Sequence, residues 1–265
     1  MYDSFNRRID YLRISVTDKC NLRCRYCMPE EGVAPRRHED FLSHEQIVEV
    51  VRAAVGLGLT KIRLTGGEPL VKRGIVELAG LIRKVPGVGH LAMTTNGTLL
   101  ARHAAGLRRA GLDSINISLD TLEAERYRHL TRGGRIQDVL EGIQAARREG
   151  FPVKLNMVVL ADTAPQEIER MRGFCREHGL ELQLINHFDI ASAKNEQYLF
   201  DRPPKCSTCN KIRLLADGQL KPCLHSDQEI SLDPGDIEGS LRRTIEAKPA
   251  NGCACTNRLM SQIGG

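Results

Sequence analysis

Three thiols fall within eight residues, at Cys20, Cys24 and Cys27, spaced C-x3-C-x2-C with Tyr26 just before the last. If this segment curls into a loop, the three sulfurs can converge on one centre. They are one ligand short of a closed tetrahedral zinc site or a fully ligated iron–sulfur cubane. A [4Fe–4S] cluster held by three thiolates keeps one iron open to an exogenous ligand; a zinc clip completed by a distant residue is the alternative. A second trio follows at Cys206, Cys209 and Cys223, where Asp217-Gly218 between apolar stretches predicts a hairpin that folds Cys223 back onto the first pair. A zinc ribbon would also suit this trio. Cys253-Ala254-Cys255 can close it with one more thiolate, Cys255 or Cys253, or can leave both as unliganded thiols. Cys175 reads as a buried helix residue.

The elements that must position these groups alternate. Tyr11–Thr17 reads as a strand delivering Cys20. Ser43 predicts a helix cap ahead of Ile47, Val50, Val51, Ala54 and Val55 at helical spacing, with Gly56 and Gly58 ending it. Strands are expected at 61–65, 91–95, 114–120, 153–160 and 181–188, and helices near 74–85, 99–110, 136–149 and 166–178. Six strand–helix units with right-handed crossovers predict an α/β fold, an open, partial (β/α)6 TIM-like barrel over residues 1–188. Residues 189–265 then form a small C-terminal extension, beginning as a polar linker across the barrel mouth. In such barrels the loops after the strands carry the chemistry. Gly66-Gly67-Glu68-Pro69 follows the second strand, where glycines admit a close backbone approach and a carboxylate can hold an ammonium group. A plain tight turn is the simpler reading of that segment.

Composition narrows the class. Hydrophobic residues at 41% and charged residues at 27% are ordinary for a soluble globular protein. The absence of Trp and 4% aromatics argue against a base-stacking platform for nucleic acid. The formal charge of +5 fits solvated Arg-rich helices or a cleft for an anionic metabolite. No apolar run approaches the ~18 residues of a membrane span, and the N-terminus has no leader pattern, so a cytoplasmic protein is expected. Nine cysteines, six in two tight groups, then point to metal or Fe–S ligation instead of disulfides.

Cys20, Cys24, Cys27 and Tyr26 resemble the signature of the radical S-adenosylmethionine (SAM) enzymes, whose fold is the partial barrel. Within them, Tyr11-Leu-Arg-Ile-Ser-Val-Thr-Asp-Lys-Cys20, Ile62-Arg-Leu-Thr-Gly-Gly-Glu-Pro69, the run Cys206–Leu224 and Met260-Ser-Gln-Ile-Gly-Gly265 resemble the GTP 3′,8-cyclase family of molybdopterin biosynthesis. The resemblance implies two [4Fe–4S] clusters, SAM, a low-potential electron donor and a small-molecule substrate, GTP or another anionic metabolite. It implies SAM contacts from Tyr26, Gly66, Gly67, Glu68, Asn96 and Ser118. Arg13, Arg63, Thr94, Lys154, Lys211, Arg213, Gly264 and Gly265 match substrate-contacting positions, with Arg213 also close to the second cluster. Singly, each of these charged residues also suits a surface salt bridge.

Departures accompany the resemblance. Lys211 stands where the family has Arg, and ammonium cannot form the bidentate fork. Gln183 replaces another Arg, a Glu and a Met are missing later in that strand, and the stretch between Phe188 and Cys206 is short. A relative with another substrate and a fully ligated second cluster therefore stays open, as does, in a different class, a non-catalytic Fe–S electron carrier. A zinc-stabilised binding module is a further alternative.

Overall fold

The computed structural model describes residues 1–34, 36–194 and 197–264. Gly265 lies outside the described residues. Six parallel strands carry the barrel: β1 (Tyr11–Ser15), β2 (Lys61–Thr65), β3 (His90–Thr95), β4 (Ser114–Ser118), β5 (Val153–Val159) and β6 (Glu181–Asn186). Between them run α1 (His44–Gly56), α2 (Ile75–Arg83), α3 (Leu100–Arg109), α4 (Ala124–Thr131), α5 (Ile136–Arg148) and α6 (Pro165–His178). Ser43 caps α1 in a reciprocal capping box with Gln46, as its sequence predicts. Helix α4 was not expected. It is mostly polar and buries Tyr127, Leu130 and Thr131, too short a stripe to register as a period.

The C-terminal part extends the same sheet. Strand β7 (Lys211–Leu214) pairs parallel with β1, and β8 (Gln219–Lys221) and β9 (Ile230–Ser231) add antiparallel, giving the order β6-β5-β4-β3-β2-β1-β7-β8-β9 among the described residues. The β7–β8 turn is the predicted hairpin, with Gly218 at φ +83. Helix α7 (Ile237–Glu246), also unforeseen, packs beside α1, and a short α8 (Met260–Ile263) ends the chain. Asp217 in the hairpin turn pairs with Arg36 at 2.7 Å and Arg258 at 2.6 Å, tying the turn to the loop after the first cysteines and to the tail.

Alternation divides each strand. Leu12 and Ile14, Ile62 and Leu64, Ile115 and Ile117, and Leu155 and Met157 are buried beneath the helices. Burial of that size is the main favourable contribution to the fold, at roughly 1.5–3 kcal/mol per aliphatic side chain. The opposite face, inside the barrel, is polar. Register sets Arg13 of β1 beside Arg63 of β2 and Arg213 of β7, and Asn116 of β4 between Thr94 of β3 and Lys154 of β5.

Candidate active site

The first cysteine loop is held by backbone. The amides of Gly67 and Glu68 donate to the carbonyls of Thr17 and Lys19, both at 2.8 Å. A Cβ at Gly66 would lie 2.4 Å from the Thr17 oxygen, and one at Gly67 2.4 Å from the Lys19 oxygen. No side chain fits there, so the paired glycines clasp the segment that delivers Cys20. Glu68 is fully buried and accepts from the Leu70 amide (3.0 Å), the Thr95 hydroxyl (2.7 Å) and the Asn96 amide (2.7 Å). Burial pushes its carboxyl up to about 7 against those three donors. The ends of β1, β2 and β3 are thereby locked together, and Asn96 reaches the Asn21 side chain at 2.9 Å and the Cys20 sulfur at 3.8 Å.

Within the loop, the Cys27 amide donates to the Cys24 carbonyl at 2.9 Å, and the Leu22 amide points at the Cys20 sulfur at 3.4 Å. The amides of Arg23 and Arg25 pair with the carbonyls of Thr131 and Leu130 at the end of α4, giving that helix its task. The Tyr26 hydroxyl donates to Asp120 at 2.6 Å, and Asp120 in turn accepts from the Val158 amide at 2.8 Å. Ser118 closes β4 with Asn156 as its register partner on β5.

Burial raises all three thiols of the loop, Cys27 to about 12, and their mutual proximity raises Cys24 and Cys27 further. Three crowded thiolates need positive charge between them, which the irons of a cluster supply. The donor set therefore fits a [4Fe–4S] group. Among the described residues, no three metal-binding side chains converge at single-ion distances. A cubane does not need such convergence, because each thiolate binds a different iron.

The second trio is assembled from the 3₁₀ turn Cys206–Thr208, from Cys209 that caps it two residues before β7, and from Cys223 two residues beyond β8. Cations surround it. Lys194 lies 3.3 Å from the Cys206 sulfur, and the buried Lys248 lies 3.5 Å from that of Cys209. Lys248 also donates to the carbonyls of Lys211 and Pro222, both at 2.8 Å. Burial opposes the Cys209 thiolate, but the ammonium groups of Lys248 and Lys211 outweigh it and hold this thiol below the usual range. The Gly252 amide is 3.4 Å from the Cys206 sulfur, and a Cβ there would meet the Cys223 sulfur at 3.4 Å. Cys253 is exposed. Cys255 is buried with Ile190, Leu215 and Ile263, its thiol 3.3 Å from the Asn257 carboxamide oxygen.

A cavity of about 650 Å³ joins this trio to the barrel interior. Cys206, Cys209 and Cys223 line one end, and Arg13, Arg63, Thr94, Lys154, Lys211 and Arg213 line the rest. Nine Lys or Arg residues lie along it against one carboxylate among the described residues, Glu181, which pairs with Lys154 at 2.6 Å. Burial and then Arg213 lower the Arg13 guanidinium to about 9, and burial and then Arg13 lower Lys211 to about 7. So concentrated a positive field selects an anion. Cys20 lines a separate cavity, of about 460 Å³. Between the two cysteine sites lies Gly264. The Gly264 carbonyl accepts from Arg13 at 3.0 Å and Arg213 at 2.9 Å, while a Cβ there would meet the Thr65 side chain at 2.7 Å and the Gly66 nitrogen at 3.3 Å.

Several lining residues lie outside the expected set: Lys194, Arg202, Lys248, Asn116 and Asn156. The two asparagines were within reach of a polar alternation along β4 and β5. The three cations come from irregular segments and one helix end, with no periodic signal.

Residues 14–175 match the radical SAM superfamily model, and the chain belongs to that superfamily. Its full-length relatives place it in the family of GTP 3′,8-cyclases. The cyclase of Alkaliphilus oremlandii is 39% identical over 320 positions, covering the whole of both chains, and that of Moorella thermoacetica is 39% identical over 329 positions with the same coverage. Because 320 aligned positions face 265 residues, at least 55 have no counterpart here. The fold agrees with that of Streptococcus suis SuiB bound to S-adenosylmethionine, at TM-score 0.70 and 15% identity over 93% of this chain and 66% of SuiB. It also agrees with anSMEcpe with bound AdoMet, at TM-score 0.64 and 16% identity over 91% and 81%. Membership in an enzyme superfamily built on SAM and a [4Fe–4S] cluster removes the carrier and zinc-module alternatives. Among the described residues no helix is long and apolar enough to cross a membrane.

Proposed function

We propose that this protein is a GTP 3′,8-cyclase with two [4Fe–4S] clusters, the first held by Cys20, Cys24 and Cys27 and the second by Cys206, Cys209 and Cys223. The observation carrying the reading is the single cavity that runs from the second cysteine trio along the Arg213–Arg13–Arg63 row. Guanidinium groups pair bidentately with phosphate oxygens. A nucleoside triphosphate lying along that row directs its base to the trio, where an iron with three protein ligands has a free position. The burial of Cys255 in an apolar group, with Asn257 as its polar contact, favours this open iron over a fully ligated cluster. SAM with the reduced first cluster supplies a 5′-deoxyadenosyl radical for removal of a substrate hydrogen atom.

The chain's own residues do the rest. Gly66, Gly67 and Asn96 hold the first loop, and Tyr26 fixes its far end on Asp120. Arg13, Arg63, Lys211 and Arg213 bind the phosphates, with Thr94 held by Arg63 at 3.2 Å. Lys154 exchanges its pairing with Glu181 for the substrate. The Gly264 tail covers the junction of the substrate cavity with the first cysteine loop, beside Arg13, Arg213 and Gly66, and excludes water. Anaerobically reconstituted protein with GTP, SAM and a low-potential reductant should yield a nucleotide of unchanged mass and altered retention, with 5′-deoxyadenosine. Intact GTP after sustained SAM cleavage would overturn the assignment.

A further inference from the structure

Residues 187–205 bridge β6 to the second cysteine trio, and one side chain organises the end of this segment. Asn186, the last residue of β6, is bound to it by five hydrogen bonds. Its carboxamide nitrogen donates to the carbonyls of Phe200 (2.8 Å) and Arg202 (2.5 Å). Its oxygen accepts from the amides of Leu199 (3.1 Å) and Phe200 (3.2 Å), and its own amide donates to the Arg202 carbonyl at 2.9 Å. Loops are ordinarily free to vary; this one is fastened to the sheet at residues 199–202.

The result of that fastening is the placement of a cation. Arg202 lines the cavity together with Arg13 and Lys211. Among the described residues its guanidinium makes no hydrogen bond or ion pair, whereas Lys154 has Glu181 and Arg63 has Thr94. A half-buried guanidinium that shares a cavity with other cations and has no such partner is a ready site for an anion. The neighbouring lining position on β6 is the neutral Gln183. We infer that Arg202 is a phosphate-binding, specificity-determining residue delivered by the Asn186 clasp, completing from the loop a cation ring that β6 leaves open. This deepens the cyclase reading and rests on it.

Equilibrium binding to the anaerobically reconstituted protein separates the two claims, with GTP and guanosine as probes. The parent should bind GTP more tightly than guanosine; equal affinity for the two, or no GTP binding, overturns the cyclase reading itself. Arg202→Ala should weaken GTP at least tenfold and leave guanosine unchanged. Asn186→Ala should weaken GTP to a similar degree, and the double variant should be no weaker than Arg202→Ala, since both changes remove one cation. Gln183→Arg in the Arg202→Ala background should recover most of the lost GTP affinity, which a merely structural role for Arg202 would not allow. Arg176→Ala on the exposed face of α6 controls for net charge and should bind as the parent. If the parent prefers GTP and Arg202→Ala matches it, or if both variants weaken guanosine as much as GTP, the inference fails.

Discussion

The guanidinium of Arg213 lies 2.9 Å from the carbonyl oxygen of Gly264, fifty-one residues on, at the level where β7 joins β1. Arg13 reaches the same oxygen. Gly264 sits at φ +72, and a Cβ would meet the Thr65 methyl at 2.7 Å. Gly264→Ala therefore combines left-handed strain of about 1–2 kcal/mol with a clash. Iron content and SAM binding should be unchanged, while nucleotide product falls at least tenfold. Unchanged product formation would show that the tail is a bystander.

The Tyr26–Asp120 bond anchors the first cysteine loop to the segment that follows β4. Tyr26→Phe removes a hydrogen bond to an acidic group, for which roughly 1.5–3 kcal/mol is usual. The cluster on this loop should then be lost faster to a chelator, with the second cluster retained. Equal chelation rates for parent and variant would place the loop's rigidity elsewhere, for example in the Arg23 and Arg25 amides paired to α4.

Glu68 gives a pH signature. Its folded carboxyl is raised from the ordinary 4.5 to about 7. Between those values the native state binds more protons than the unfolded state, so stability falls as pH rises through 4.5–7 and is then level. About 2.5 units correspond to ~3 kcal/mol. In denaturant titrations of the cluster-free protein, the parent should lose stability relative to Glu68→Gln across that window. A difference independent of pH would contradict a buried, proton-binding Glu68.

For the second trio, Cys209→Ala should cost one cluster's worth of iron and sulfide, whereas Cys253→Ala and Cys255→Ala should keep both clusters. Removing the buried Cys255 sulfur creates a small cavity, at about 1 kcal/mol. Loss of cluster iron in folded Cys255→Ala would instead mean that this thiol closes the cubane.

Much of this site was legible before any coordinates. Cysteine spacing is local, so Cys20, Cys24 and Cys27 announce themselves, and the family resemblance points to Arg13, Arg63, Thr94 and Lys154. The Asp217-Gly218 turn was equally local. What stayed hidden depends on distant pairing. Nothing near Gly66 reveals that it packs against the carbonyl of Thr17, some fifty residues earlier, so its role as a backbone clasp was invisible. Helix α7 buries Ser240 and Thr244 as well as Leu241 and Ile245, which blurs its apolar stripe. Strand β6 ends at Asn186, two residues earlier than its apolar run suggests, because Asn186 turns its hydrogen bonds to residues 199–202.

The central claim is that GTP lies in the cationic cavity with its ribose open to the radical derived from SAM. It is tested most directly with GTP carrying deuterium at the ribose 3′ carbon, followed by mass analysis of the 5′-deoxyadenosine. The account predicts deuterium in that product, in proportion to the GTP consumed, and its absence with Arg213→Ala. Unlabelled 5′-deoxyadenosine formed at the same rate with or without GTP would contradict it.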